Sequence, residues 1–336
     1  IQSRGLGDVY KRQLEANFDA DLVITGDKPD SFHLTGDTGL GHGDVTVSSG
    51  RAELDGVITA SHSSVTFDVA GEFSVSDNGG IVNQSGTVRI DANQIEVEGS
   101  IDATGGSVFL DSGDTGTTLL SGRIDVSDSR AGQHGGEVHL LGMHVGLTGS
   151  ALVDVSGDAG GGVALIGGDY QGNNPLVRNA QRTFVGDGAV LIADAITSGD
   201  GGKVIVWGDD WTKFYGQIFA RGGAISGDGG FAEVSGKESL AFQGTADLSA
   251  ANGSLGELLL DPANISIETN ATNNDGELPT VSFTDGGAND YIIQPSAFNN
   301  ISANITLEAT GNITFKEDIE FTFTVTDPVT VLSLIH

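Results

Sequence analysis

Cysteine is absent from this 336-residue sequence, which removes disulfides, thiolate–metal centres and thiol nucleophiles at once. The absence suits a chain that crosses an oxidising compartment without mispairing, and equally one that stays in a reducing one. Basic residues are scarce: 15 Lys and Arg stand against 46 Asp and Glu, a formal charge of −31. So few cations leave little to neutralise phosphates, and nucleic acid is excluded as the natural ligand. No run of 18 apolar residues occurs, so no helix is expected to span a membrane. Proline is rare too, at six, which means few interrupted backbone ladders.

Glycine is what the sequence has in quantity, 52 residues, and its placement is periodic. Gly105-Gly106, Gly135-Gly136, Gly161-Gly162, Gly201-Gly202 and Gly229-Gly230 each open a short alternating run, and Leu255-Gly256 opens a weaker one. The steps between the second glycines are 30, 26, 40, 28 and 26 residues. Two and four residues after each stand Val108/Leu110, Val138/Leu140, Ala164/Ile166, Val204/Val206, Ala232/Val234 and Leu258/Leu260. All are apolar, while the residue between them varies. Such alternation buries one face of a strand.

A second run precedes each pair: Ile101-Asp102-Ala103, Ile124-Asp125-Val126, Val153-Asp154-Val155, Ala193-Asp194-Ala195, Ile218-Phe219-Ala220 and Ala246-Asp247-Leu248. Units this small cannot bury a face alone, so successive units must stack. A coil of parallel strands, each pairing with its equivalent one turn later, satisfies the backbone and the pattern together. The expected fold is all-β, a parallel β-helix (β-solenoid) with two strands per unit. Glycine is expected at its corners for its access to positive φ.

Along the chain, IQSRGLGDVYKRQ at residues 1–13 lacks an initiator Met and holds three of the basic residues. It resembles a translated sequencing-adaptor read-through, as does LSLIH at 332–336. Both are expected to lie outside the fold, and the rest to be an internal fragment of a longer protein. Residues 14–262 are expected to form the β-helix, less regular before Ser100. Gly168–Gly188 reads as a loop inserted at one corner, which explains the 40-residue step. Residues 263–331 read as Asn/Thr-rich coils continuing the helix, with strands at Ile265–Ile267, Val281–Phe283, Ile305–Leu307, Ile313–Phe315 and Phe321–Val325. An irregular excursion is expected over Thr269–Asp290.

Several signatures in one order resemble the filamentous haemagglutinin family of large secreted bacterial exoproteins. They are GGDYQG at 167–172, RNA at 178–180, ADA at 193–195, GDGGKVIVW at 199–207 and TKFYG at 212–216. ARGG at 220–223, GDGGFAEVSGKESL at 227–240, LLLDPANISI at 258–267 and ANITLEATGNITF at 303–315 complete the set. The likeness covers roughly Gly99 to Phe315. It implies a right-handed β-helical shaft, two-partner secretion through an outer-membrane partner, and display on or release from the bacterial cell surface. No amino-terminal secretion module and no carboxyl-terminal effector or anchoring module is recognisable among these motifs.

Candidate chemistry is thin. Lys203 follows GDGG, but Thr197 stands where a phosphate-binding loop needs glycine and Val204 follows the lysine. Ala232 likewise breaks a dinucleotide fingerprint. His134, His139 and His144 are evenly spaced and would bind metal only if the fold made them converge. Trp207, Trp211, Phe214 and Tyr215 are the one aromatic concentration, able to stack on sugars or to cover the shaft. Asn264-Ile265-Ser266 and Asn304-Ile305-Thr306 mimic glycosylation sites but read as strand starts. No catalytic, cofactor-binding or metal residue is assigned.

The functional expectation is a non-catalytic structural and adhesive shaft, with a glycan or protein receptor left open. A β-helical polysaccharide-binding or polysaccharide-degrading enzyme is the alternative, needing carboxylates that converge in one groove. Asp102, Asp125, Asp154, Asp194 and Asp247 are expected to form an outward column, either solvated or bridged by Ca²⁺.

Overall fold

The computed structural model describes residues 2–3, 21–25, 30–263, 265–267, 291–293, 301–309, 312–315 and 332–335. Within them the chain is a parallel β-helix. In one coil, Ser107–Asp111, Thr117–Leu120 and Arg123–Asp125 follow one another. Each pairs in parallel with its counterpart in the next coil: Glu137–Leu141, His144–Leu147 and Leu152–Asp154. The three ladders run on in register, the first through Val163–Ile166, Lys203–Gly208, Phe231–Gly236 and Glu257–Leu260. Upstream, Ser64–Val75 and Thr87–Val97 each pass through the first two ladders as one strand, with the register shifting between Ala92 and Gln94. Downstream, Asn304–Glu308 pairs with Glu257–Leu260.

The inward column of the first ladder follows from alternation alone. Val65, Val88, Val108, Val138, Ala164, Val204, Ala232, Leu258 and Ile305 stand in direct register. None is more than 1% exposed. They belong to one continuous apolar core, and each buried Val or Leu contributes roughly 1.5–3 kcal/mol.

Positive φ is found at corner glycines such as Gly105 (φ 71) and Gly199 (φ 89), but the second glycine of each pair serves close approach instead. A Cβ on Gly136 would stand 2.0 Å from the carbonyl oxygen of Gly106, on Gly162 2.0 Å from Gly136, on Gly202 2.2 Å from Gly162, on Gly230 2.2 Å from Gly202 and on Gly256 2.1 Å from Gly230. Those carbonyls are engaged by the first amide of the next coil's strand, as where the Lys203 N–H donates to Gly162 O (2.9 Å) and Phe231 N–H to Gly202 O (2.9 Å). The column lets the backbone of one coil rest directly on the next.

Two sequence expectations need correction. Each regular coil holds three strands, not two, because the second ladder hides its pattern behind threonine. Thr118, Val145, Thr183, Thr212 and Leu240 share one inward column, and the three threonines are fully buried. Their hydroxyls donate to backbone carbonyls: Thr118 to Leu141 (2.7 Å), Thr183 to Trp207 (2.5 Å) and Thr212 to Ser235 (2.7 Å). Satisfied in this way, a hydroxyl is tolerated in the core. The stretch 168–188 is likewise not all loop, since Arg182–Val185 is the second-ladder strand of its coil.

Ile265–Ile267 pairs with both Tyr291–Ile293 and Ile313–Phe315 in a separate three-stranded sheet. Gln2–Ser3 and Leu332–Ile335, expected outside the fold, pair with Val23–Ile24 and with Ile305–Glu308. An open rung presents free N–H and C=O groups that a short extended segment can take up. Asn264, the strands at Val281–Phe283 and Phe321–Val325, and the excursion at Thr269–Asp290 lie outside the described residues.

Candidate functional site

The most unusual chemistry lies on the outer side of the first ladder, beneath the insertion 168–180. The insertion opens with a 3₁₀ turn at Tyr170–Gly172, whose cap Asp169 accepts the Tyr170 N–H (2.7 Å). Asp169 also receives Lys203 Nζ (2.9 Å) and Asn174 Nδ2 (2.8 Å). Arg178 ties the far end to Asp111 (2.9 Å) and Asp114. Gly172 (φ 59) lies flat on Trp207, where a Cβ would stand 2.6 Å from the indole ring. Under this cover Leu165, Ile205 and Trp207 form a second apolar cluster, with Val163, Val177 and Phe231 packed against it.

Glu233 sits in the same outward column, directly across from Ile205 and Leu259, and is fully buried. The backbone N–H of Gln171 donates to both its oxygens (3.0 and 3.2 Å). Burial pushes its carboxyl up to about 7 despite that bond, and the nearby charge of Asp261 adds to the rise. Asp261 is itself pushed up to about 6, by burial and then by Glu308. Gln171 Nε2 reaches Glu308 (3.4 Å). Tyr170 is raised as well, by burial and then by Glu233, Glu308, Glu257 and Asp261. Two carboxyls with elevated pKa beside a third form an acid/base constellation by chemistry, closed over by the insertion.

This grouping was not apparent in the sequence, because Gln171, Glu233, Asp261 and Glu308 meet only through coil register and the folded-over insertion. The residues singled out by sequence fare differently. Trp207 and Trp211 are 4% and 2% exposed and Phe214 is fully buried. The Trp207 Nε1–H donates to Asp209 (2.9 Å), and Phe214 stacks on Phe242 inside the shaft (centroids 5.5 Å, 7°). Tyr215 packs against Phe184 (5.9 Å). The four therefore cover and fill the shaft and offer no open platform to a sugar ring. Lys203 latches the insertion.

The three histidines do not converge. His139 pairs with Glu137 (2.7 Å) in the first ladder, His144 stands in the second, and His134 is exposed on a corner. Burial, then Arg182, lowers the pKa of His144. Among the described residues the one group of metal-ligating side chains is elsewhere, at His33, Glu53 and Asp55.

The aspartate column is real but differently composed. Asp102, Asp125 and Asp154 are in direct register, followed by Ile192, Phe219 and Asp247. Asp194 falls two residues further on, where it pairs with Arg221 (2.6 Å). Each column carboxylate accepts the amide two residues ahead: Thr104 to Asp102 (3.0 Å), Ser127 to Asp125 (2.9 Å), Ser156 to Asp154 (3.0 Å) and Ser249 to Asp247 (3.1 Å). The column is a set of turn caps.

Fold and site together define a parallel β-helix with an outer face partly roofed by an insertion. No family model and no curated protein sequence matches the chain. Among solved structures it is similar to the HMW1 secretion domain from Haemophilus influenzae, with a TM-score of 0.52 and 26% sequence identity. The match covers 66% of this chain and 66% of that one. The backbone is thus similar to a secretion domain, a module that the sequence motifs alone leave out of view.

Proposed function

We propose that this chain is part of a secreted, β-helical bacterial exoprotein of the filamentous haemagglutinin type, exported with an outer-membrane partner and acting as a non-catalytic adhesive shaft. The observation that supports it most is the uninterrupted parallel winding, together with the similarity to a secretion domain. The surface fits such a role, since apolar side chains are buried along the axis and the exterior is strongly acidic. Its receptor would be a glycan or a protein. Antibodies raised to the folded chain should label intact producing cells or their culture medium. Labelling confined to the interior of permeabilised cells would overturn the reading.

A second reading, a polysaccharide-degrading β-helix, is favoured by one observation, the meeting of Glu233, Asp261 and Glu308. Against it, Glu233 is sealed beneath Gln171 and has no exposed surface. The purified chain should turn over no member of a polysaccharide panel. Turnover that E233Q abolishes would establish the enzyme instead.

A further inference from the structure

We propose that His33, Glu53 and Asp55 form a binding site for a divalent transition metal of the Zn²⁺ class, clamping two adjacent coils together. His33 lies on Ser31–Leu34 and Glu53 on Arg51–Leu54, directly across the ladder from it. Asp55 follows two residues later, its backbone held by donation to Leu34 O (2.8 Å). One imidazole nitrogen and one oxygen from each carboxylate all lie within 4.8 Å of one another. His33 Nε2 is already 2.7 Å from Asp55 Oδ2. A tetrahedral ion with bonds of about 2.0–2.1 Å sets its donors about 3.3 Å apart, so His33 and Asp55 would part slightly from 2.7 Å to admit it.

The charge balance points the same way. An ion pair between His33 and Asp55 explains two of the three groups and leaves Glu53 as a second carboxylate on the same strand face. Arg51, the one arginine on these two strands, is turned to Glu72 (3.4 Å). Two carboxylates thus share one imidazole across two coils, an excess of negative charge that a dication would neutralise. A hydrogen bond from the Ser76 side chain also reaches the Asp55 carboxylate. Support of a ligand by an outer hydroxyl is a common feature of metal sites. An imidazole donor favours Zn²⁺, Cu²⁺ or Ni²⁺ over Ca²⁺ and Mg²⁺, which prefer oxygen.

The test titrates Zn²⁺ into the full chain by calorimetry, in millimolar Ca²⁺ to occupy the acidic surface, with Zn²⁺-dependent melting alongside. One site per chain is expected, weakened about tenfold or more in H33Q and in E53Q, and Zn²⁺ should raise the melting temperature of the parent only. Melting of the variants in chelator checks that they fold. His42 and His62, whose rings lie 5.7 Å apart, supply the control. Binding that persists in H33Q, or that disappears in H42Q instead, overturns the assignment, as does the absence of any site above the Ca²⁺-masked background.

Discussion

Gln171 donates its backbone N–H to both oxygens of Glu233, a carboxyl with no exposed surface at all. Gln171 adopts φ 52, a left-handed conformation uncommon outside glycine, in making this contact. The roof of the first ladder is therefore fastened to a group whose charge is disfavoured by its surroundings.

Stability should fall as pH rises through neutrality. Glu233 has a folded pKa of about 7 against 4.5 for the free side chain. A raised acid binds its proton more tightly in the folded state, so its contribution is intact below about pH 4.5 and lost by the time the pH passes 7. Asp261, raised from 3.8 to about 6, acts with the same sign. The Glu233 shift is worth on the order of 3 kcal/mol. Ordinary carboxylates have finished titrating by about pH 5.5, so between pH 5.5 and 8 the titrating groups are Glu233, Asp261 and the histidines, and the difference in melting from E233Q isolates Glu233. E233Q should flatten that profile and melt higher than the parent at pH 8. Parallel profiles for the two proteins would remove Glu233 as the cause.

Glycine at the coil contacts should be irreplaceable for reasons of space. In G202A the new methyl meets Gly162 O at 2.2 Å, backbone against backbone, so neither side can rotate away. A loss of roughly 3 kcal/mol or more is expected by denaturant titration. G36A is the control, because nothing lies within 4 Å of its Cβ position, and it should change stability by less than about 1 kcal/mol. Equal effects at the two positions would mean that general loss of glycine flexibility decides.

How much of this was legible depends on where the information lies. The inward column Val138, Ala164, Val204, Ala232 and Leu258 was readable because alternation and the Gly pairs sit within a few residues of each other. The second ladder was not, since Thr118, Thr183 and Thr212 place hydroxyls where an apolar pattern was sought. Asp194 was misaligned because its coil contains the insertion, and a local match of Ala-Asp-Ala outweighed the true partner Ile192. Glu233 with Gln171, and His33 with Glu53, are joined by register across coils. No spacing rule within one unit reveals them.

The aspartate column gives the last prediction. Asp125 and Asp154 are direct neighbours on adjacent coils, and strands in a sheet lie about 4.8 Å apart, so their charges repel. Each carboxylate nonetheless accepts the amide two residues on, Ser127 at 2.9 Å and Ser156 at 3.0 Å, and Arg123 pairs with Asp125. The acceptor, not the charge, is then what the fold needs at Asp154. D154N keeps an oxygen in place and removes one like charge, so it should be neutral or slightly stabilising. D154A leaves the Ser156 amide without its cap and should cost about 1 kcal/mol. Denaturant titration of both variants, with melting in Ca²⁺ and in chelator at matched ionic strength, separates the possibilities. Equal melting in the two buffers is expected. If D154N were as damaging as D154A, and Ca²⁺ raised the melting of the parent alone, the column would be a bridged cation site and the capping account would fail.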